Sequence, residues 1–111
     1  MLSKATTGRL VLSTAGSPEE AARIAGTLVE RRLAACVSRL PGLVSVYRWQ
    51  GAVEEANEVL LLIKTSEERL AALEAALREL HSYKVPEFLV LPVSAGSDAY
   101  LEWLASSVTQ G

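Results

Sequence analysis

One histidine and one cysteine are the side chains of this sequence best suited to metal binding or acid–base chemistry. His81 could bind a metal ion or transfer a proton, and Cys36 is a candidate soft ligand. Each also has a structural explanation. A histidine at a helix end can bond to the terminal carbonyls, and a cysteine between apolar strand neighbours is often a small buried hydrophobe. A reactive thiolate needs a nearby cation, and the three-residue spacing of Arg39 places it on the opposite face of a strand.

Carboxylates offer two further candidate sites. Glu54, Glu55 and Glu58 form an acidic cluster, but a hard cation needs several converging oxygens. We interpret this cluster as solvated surface beside a hairpin. Glu87 could serve as a metal ligand, as an acid in a cleft or as an interface partner.

Aromatic side chains, together with one lysine, indicate either a ligand cleft or a contact between subunits. Aromatic residues are enriched at protein interfaces, and the same rings could line a cleft between protomers. Both alternatives stay open at this point. The residues are Tyr47, Trp49, Lys64, Tyr83, Tyr100 and Trp103.

Motifs of common enzyme classes are missing from the sequence. It has no G-x-S-x-G, no glycine-rich phosphate loop, no H-E-x-x-H and no C-x-x-C. One histidine and one cysteine at distant positions do not define a nucleophile–base pair. We therefore expect a binding protein and not an enzyme.

Length and charge indicate one soluble domain. The chain has 111 residues, and we expect a frayed segment over residues 1–8 followed by a single domain over 9–111. The net charge of −2 gives no electrostatic reason to expect nucleic acid or an anionic membrane as partner. One cysteine cannot form an internal disulfide, and no apolar run has the length of a signal peptide or a membrane span. A cytoplasmic location is the expectation.

Hydrophobic periodicity predicts a β-α-β-β-α-β order with a further helix at the end. Ser17 with Glu20, and Thr65 with Glu68, predict capping boxes at the starts of two helices. The predicted strands cover residues 9–14, 34–49, 59–64 and 88–93, and the predicted helices cover residues 17–33, 65–81 and the segment after 96.

This order predicts a ferredoxin-like α+β sandwich with an extra C-terminal helix. In the usual 4-1-3-2 strand order the second and fourth strands are edges, and these strands contain Pro41 and Pro92, as edge strands tolerate. A Pro41-Gly42 break and a Gln50-Gly51 hairpin turn are expected in the second strand and directly after it.

The strands are apolar on both faces, although the helices can cover only one. VLLLI (59–63) and FLVL (88–91) show no alternation of apolar and polar residues. A bare face of this size would exceed the apolar patch that a monomer normally exposes. We therefore expect a homo-oligomer in which the sheet faces meet.

Four ordered segments resemble the CutA family of divalent-cation tolerance proteins. They are AACVSRLPGLVSVYRWQG (34–51), EVLLLIKT (58–65), LHSYKVPEFLVLPV (80–93) and YLEWL (100–104). The resemblance implies a homotrimer similar in shape to the PII signalling proteins, with sheets inward and helices outward. It also implies a role in tolerance of divalent cations, with copper as the metal expected, through metal binding or a response to metal.

Under this resemblance His81 is the first candidate ligand, with Cys36 and Glu87 after it. The alternative is a PII-like signalling or scaffold trimer that binds a small molecule or a partner at a cleft between subunits. The copper site of some members uses a strand-one cysteine and two adjacent histidines; those positions are Ser13, Leu80 and His81 here, so only His81 matches. Other departures from the family pattern are Ser38, Ser82 and Lys84.

Overall fold

The chain folds in the predicted order, with one additional pair of short strands. The strands are β1 Leu2–Ser3, β2 Gly8–Ala15, β3 Cys36–Trp49, β4 Ala52–Ser66, β5 Leu89–Pro92 and β6 Gly96–Ser97. The helices are α1 Pro18–Glu30, α2 Leu70–Leu80 and α3 Asp98–Ser107, and a 3-10 turn spans Glu67–Arg69. The structure is a computed structural model that describes residues 1–4 and 6–109. Residue 5, in the segment expected to fray, and residues 110–111, in the predicted domain, lie outside the described residues.

The N-terminal segment is paired, whereas the sequence led us to expect a frayed end. β1 pairs antiparallel with β6, from the other end of the chain. Thr6 Oγ1 donates to the Val93 carbonyl at 2.6 Å, and Ser3 Oγ donates to the Asp98 carboxylate. These partners are about ninety residues away in sequence, so a local reading of polar residues could not reveal them.

The main sheet has four antiparallel strands in the order β3-β4-β2-β5. This is the predicted order, and Pro41 and Pro92 lie in the two edge strands. Helices α1 and α2 pack on one face, which we call the covered face. Its central side chains are fully buried: Val11, Ile24, Leu28, Leu61, Ile63, Leu73 and Leu77 each have 0% exposure.

The face away from α1 and α2, which we call the open face, is also apolar. Leu40, Leu89 and Leu91 are 55%, 56% and 42% exposed. Helix α3 packs near one end of the sheet, where Leu104 and Val108 bury Ala35. The two-sided apolar character expected from the sequence is therefore present, and most of the open face stays accessible in the protomer.

A bulge divides β3 into an inner and an outer half. Leu40 pairs with Leu60, but Leu43 pairs with Glu58, so β3 uses one more residue than β4 between these pairs. Gly42 has φ of 84°, a value that glycine adopts without a Cβ clash. Beyond the bulge, β3 and β4 form a ribbon of paired residues 43–49 and 52–58.

The ribbon closes at the expected hairpin turn. Gln50 and Gly51 have φ of 49° and 83°, which is the pattern of a two-residue type I′ turn. Trp49 therefore pairs directly with Ala52.

Helix α1 begins as predicted and ends earlier. Ser17 Oγ accepts the Glu20 backbone N–H at 3.1 Å. The helix ends at Glu30 because Arg32 adopts φ of 57° and the Leu33 N–H bonds to the Leu28 carbonyl at 2.9 Å, as in a Schellman motif.

The predicted cap at Thr65 is wrong. Strand β4 continues through Ser66, and the Thr65 hydroxyl donates to the Leu33 carbonyl at 2.7 Å instead of capping a helix. Helix α2 follows only after the 3-10 turn and has no side-chain cap. Among the residues described, no helix is long and apolar enough to cross a membrane.

Candidate functional site

A cleft of about 650 Å³ opens between the ribbon and the connector from α2 to β5. Most of the residues that β3 supplies to the cleft share a face with Glu58, because Ser45, Tyr47 and Trp49 alternate on one side of β3. Val46, on the other side, also lines the cleft. The cleft therefore lies at the outer end of the open face. The side chains that matter to its chemistry are Tyr47, Trp49, Glu54, Glu58, Tyr83 and Glu87.

Glu58 is the carboxylate that the fold fixes most firmly in this cleft. Only 9% of the residue is exposed. Its Oε2 accepts the Tyr83 hydroxyl at 2.7 Å and the Thr14 hydroxyl at 3.2 Å. Burial raises the pKa of Tyr83, and the hydrogen bond and charge of Glu58 raise it further. Tyr83 therefore stays a neutral donor to this carboxylate.

His81 holds the connector that carries Tyr83. Its Nε2 lies 2.6 Å from the Thr14 carbonyl, and its Nδ1 accepts the Tyr83 backbone N–H at 3.0 Å. These two partners assign the proton of a neutral imidazole to Nε2. The Tyr83 hydroxyl passes close to Gly16, where a Cβ atom would come within 3.1 Å of it. Gly16 thus leaves room for the tyrosine to reach Glu58.

Glu20 fixes the same connector from helix α1. Its carboxylate accepts the Ser82 N–H at 2.7 Å, the Ser82 hydroxyl at 3.0 Å and the Gly16 N–H at 3.3 Å. Burial by itself raises the pKa of Glu20, but the bonds from Ser82 and Gly16, with the nearby His81 ring, outweigh it and hold the pKa below its usual value. A proline in place of Ser82 would lack both donors, so this departure from the family pattern supplies two hydrogen bonds.

The three predicted metal ligands occupy three different environments. His81 is buried with both ring nitrogens hydrogen-bonded, so ligation of a metal ion would require the loss of one of these bonds. Glu87 is exposed at the cleft, and Cys36 lies on the open face. Within residues 1–4 and 6–109, no three His, Cys, Asp or Glu side chains converge as a metal site requires.

Cys36 has a cation beside it that the sequence did not reveal. Register pairs Cys36 with Lys64 of β4, and Lys64 Nζ lies 3.7 Å from Cys36 Sγ and 2.5 Å from Ser38 Oγ. Arg39, the cation considered from the sequence, belongs to the other face. The pairing of Cys36 with Lys64 is hard to predict by counting residues back from the hairpin turn, because the bulge adds one residue to β3.

The aromatic set divides among separate places. Tyr47, Trp49 and Tyr83 line the cleft. Tyr100 and Trp103 lie on α3 with ring centroids 5.4 Å apart, and both are 46% exposed. Lys64 lies at the Cys36 cluster. Contact of the α3 pair with a neighbouring protomer stays a prediction.

Sequence reasoning misread Glu58 and did not find Thr14. Glu58 was interpreted as solvated surface with Glu54 and Glu55, yet only the latter two are exposed. One signal could have separated them. Glu58 directly precedes the apolar run and shares its strand parity with Leu60, which places it on a sheet face next to a buried strand.

The strand order, with α1 and α2 together on the covered face, defines a ferredoxin-like α+β protomer with an added terminal helix. The family model of the CutA1 divalent ion tolerance protein matches residues 9–107. The chain belongs to this family, as its four motifs indicated.

Similar proteins agree with this assignment. The divalent-cation tolerance protein CutA of Thermus thermophilus is 50% identical over 95 residues, which cover 86% of this chain and 92% of that protein. The chloroplastic CutA of Arabidopsis thaliana is 42% identical over 105 residues, and the match covers 95% of this chain but 58% of that protein. The crystal structure of CutA from Xylella fastidiosa superposes with a TM-score of 0.92 at 41% identity, covering 94% of this chain and 100% of that one.

Proposed function

We propose that this protein acts in divalent-cation tolerance as a cytoplasmic homotrimer that binds copper, or responds to it, at a cleft between protomers. Membership of the CutA1 family supports a role in divalent-cation tolerance. It favours this role over the alternative of a PII-like signalling trimer. The absence of enzyme motifs from the sequence supports binding rather than catalysis.

The exposed apolar surface of the open face is the observation that carries the proposal. Leu40, Leu89 and Leu91 expose between 42% and 56% of their surface in one protomer. Contact between copies would remove that area from water, at about 25 cal/mol per Å² of apolar surface. The sheet faces would then meet inside the trimer, with α1 and α2 outside.

The position of the cleft supports a site shared between protomers. Glu54, Glu58 and Glu87 line it, but they do not converge as a metal site within one described protomer. Since the cleft lies at the outer end of the open face, a neighbouring copy seated on that face could bring further ligands to it. His81, Cys36 and Glu87 remain the proposed ligands of this chain, and of these only Glu87 lines the cleft in one protomer.

Calorimetric titration with Cu(II) and Zn(II) tests the proposal. We expect saturable binding by the wild type and its loss in His81→Ala, with Glu55→Gln as a control on the exposed ribbon. Binding that His81→Ala leaves unchanged would remove His81 from the site. Absence of binding at micromolar metal would contradict direct coordination.

Light scattering tests the assembly. The expected mass is three times the 11.9 kDa of the chain, and the mass of a single chain would contradict the trimer.

A further inference from the structure

We propose that Cys36 and Lys64 form a reversible covalent bridge when the protein meets hydrogen peroxide. Oxidation of the thiol would be followed by attack of the lysine amine on the sulfur, which gives a sulfenamide bond between Sγ and Nζ. This redox-sensitive modification site joins β3 to β4. It is separate from the cleft around Glu58 and does not depend on a metal ion.

The fold holds a thiol, an amine and a hydroxyl together on the open face. Cys36 and Lys64 are directly paired across β3 and β4, and Lys64 Nζ lies 3.7 Å from Cys36 Sγ. Ser38 lies two residues further along the same face of β3, where its hydroxyl accepts from Nζ at 2.5 Å and is 3.8 Å from Sγ. Two paired strands therefore hold the amine beside the sulfur.

The hydrogen-bond partners of Lys64 carry no charge to balance its own. Among residues 1–4 and 6–109, no carboxylate forms an ion pair with Lys64, although the residue is half-buried. An ammonium group in this setting gains from a negative charge beside it, and the sulfur of Cys36 can supply one as a thiolate. The thiolate is the form of cysteine that reacts with peroxide.

The first step makes a sulfenic acid at Cys36. The thiolate attacks one oxygen of hydrogen peroxide and the O–O bond breaks, so the sulfur is oxidised and the peroxide is reduced. The leaving hydroxide takes a proton from the Lys64 ammonium and departs as water. Lys64 then carries a neutral amine, whose lone pair can act as a nucleophile.

The second step joins the two side chains. The Lys64 amine attacks the sulfenic sulfur, the S–O bond breaks, and the hydroxide leaves with an amine proton as a second water. Relative to a thiol and a neutral amine, Sγ and Nζ each lose one hydrogen, and one peroxide becomes two waters. The chain has no second cysteine that could resolve the sulfenic acid as a disulfide, so the adjacent amine takes that part.

A small oxidant has access to this cluster. Cys36, Ser38 and Lys64 are all half-buried and none is enclosed. Hydrogen peroxide is a little larger than water, so it can approach a partly exposed sulfur. The thiol is therefore shielded enough to be held in place and open enough to be oxidised.

Peptide mapping of the full-length protein tests the proposal. Reduced protein in buffer with EDTA is treated with hydrogen peroxide and digested with trypsin under non-reducing conditions. Since trypsin needs a free lysine amine, the bond after Lys64 should stay uncut. We expect residues 33–39 joined to residues 49–69, at the summed mass of the two peptides less two hydrogen atoms. Dithiothreitol should release both peptides.

Other products would overturn the proposal. A Cys36 peptide that is unchanged, or that only gains oxygen, would show that the amine does not attack. A reducible dimer would show that the thiol of a second chain resolves the sulfenic acid instead. Met1, which peroxide also oxidises, lies in a different tryptic peptide and does not disturb this comparison.

A matched pair of lysine variants locates the nucleophile. Lys64→Arg keeps a positive charge beside Cys36, but a guanidinium stays protonated, so the bridge should be lost and the Cys36 peptide should gain oxygen as sulfinic acid. Lys84→Arg makes the same change at the cleft and should leave the bridge unchanged. A bridge that persists in Lys64→Arg would overturn the proposal.

The wild-type peptide map decides the question without the variants, so a Lys64→Arg protein that failed to fold would not prevent the test. The copper calorimetry uses the reduced protein. Failure of the bridge therefore leaves the result of that experiment unaffected.

Discussion

The two faces of the four-stranded sheet have similar side chains and different surroundings. On the covered face Leu61 and Ile63 have 0% exposure, while on the open face Leu40 and Leu91 are 55% and 42% exposed. In the sequence, the apolar residues of the strands predict burial of both faces. The difference shows that residue type sets the capacity for burial, whereas the placement of the helices decides which face is buried within one chain and which stays exposed.

The largest effect on stability should come from the covered face. Leu61→Ala removes a fully buried side chain and should lower the free energy of unfolding by about 2–5 kcal/mol, because it loses transfer energy and leaves a cavity. Guanidinium denaturation measures this loss. Leu2→Ala makes the same chemical change at a residue that is 64% exposed and should cost far less. Equal losses would contradict the assignment of Leu61 to the core.

A charge on the open face should instead break the proposed trimer. Leu89 is 56% exposed in the protomer, so Leu89→Glu should change the stability of the isolated fold by about 0.5 kcal/mol or less. The same charge would be buried without a partner wherever copies meet on this face. Light scattering should show the mass falling to that of one chain. An unchanged mass would exclude this face from the interface.

The link between the open face and the connector depends on Tyr83. Tyr83→Phe removes a hydroxyl donor from the buried Glu58, which should cost about 1–3 kcal/mol of unfolding free energy. Tyr100→Phe is the control, since its hydroxyl makes no hydrogen bond within the described residues and the residue is 46% exposed. A Tyr83→Phe protein as stable as the wild type would show that water replaces the hydroxyl.

The smallest effect should appear in acid. The pKa of Glu20 lies below the ordinary value of 4.5 in the folded protein, so its stabilising contribution is complete above pH 4.5 and is lost as the pH falls through the folded pKa. Denaturation midpoints measured below pH 4.5 should decrease less steeply in Glu20→Gln than in the wild type. Glu74→Gln, at an exposed position of α2, should follow the wild type. Parallel slopes for all three proteins would exclude Glu20 as a source of the acid sensitivity.

Local sequence predicted the features of the fold that local physics controls. Pro41 marks an edge strand because it lacks an N–H, Ser17 caps α1 with its own hydroxyl, and Gln50-Gly51 sets a tight turn. Thr65 has the same local signal as Ser17 and failed, because a carbonyl 32 residues away takes its hydroxyl. The β1–β6 pairing was missed for the same reason, since its partners come from opposite ends of the chain.

The candidate site was predicted by residue type and not by arrangement. His81 and Tyr83 were named as candidates from the sequence, but their hydrogen-bond partners are 67 and 25 residues away. Glu58 looked like surface because its partners Thr14 and Tyr83 lie 44 and 25 residues away in sequence. The cation beside Cys36 depends on a register that the bulge alters. Contacts between residues that are far apart in sequence therefore account for most of what the sequence could not predict.

The bulge at Pro41-Gly42 has a consequence for how this cleft could change. Before it, Leu40 faces the open side as an even-numbered residue; after it, Tyr47 and Trp49 do so as odd-numbered ones. Deletion of Gly42 would leave Leu43 paired with Glu58, because it removes only the residue that β4 does not match. Tyr47 and Trp49 would keep their side of the sheet. A circular dichroism spectrum and a tryptophan fluorescence spectrum like those of the wild type would show it. The bulge thus lets β3 lose one codon without exchanging the residues that face the cleft.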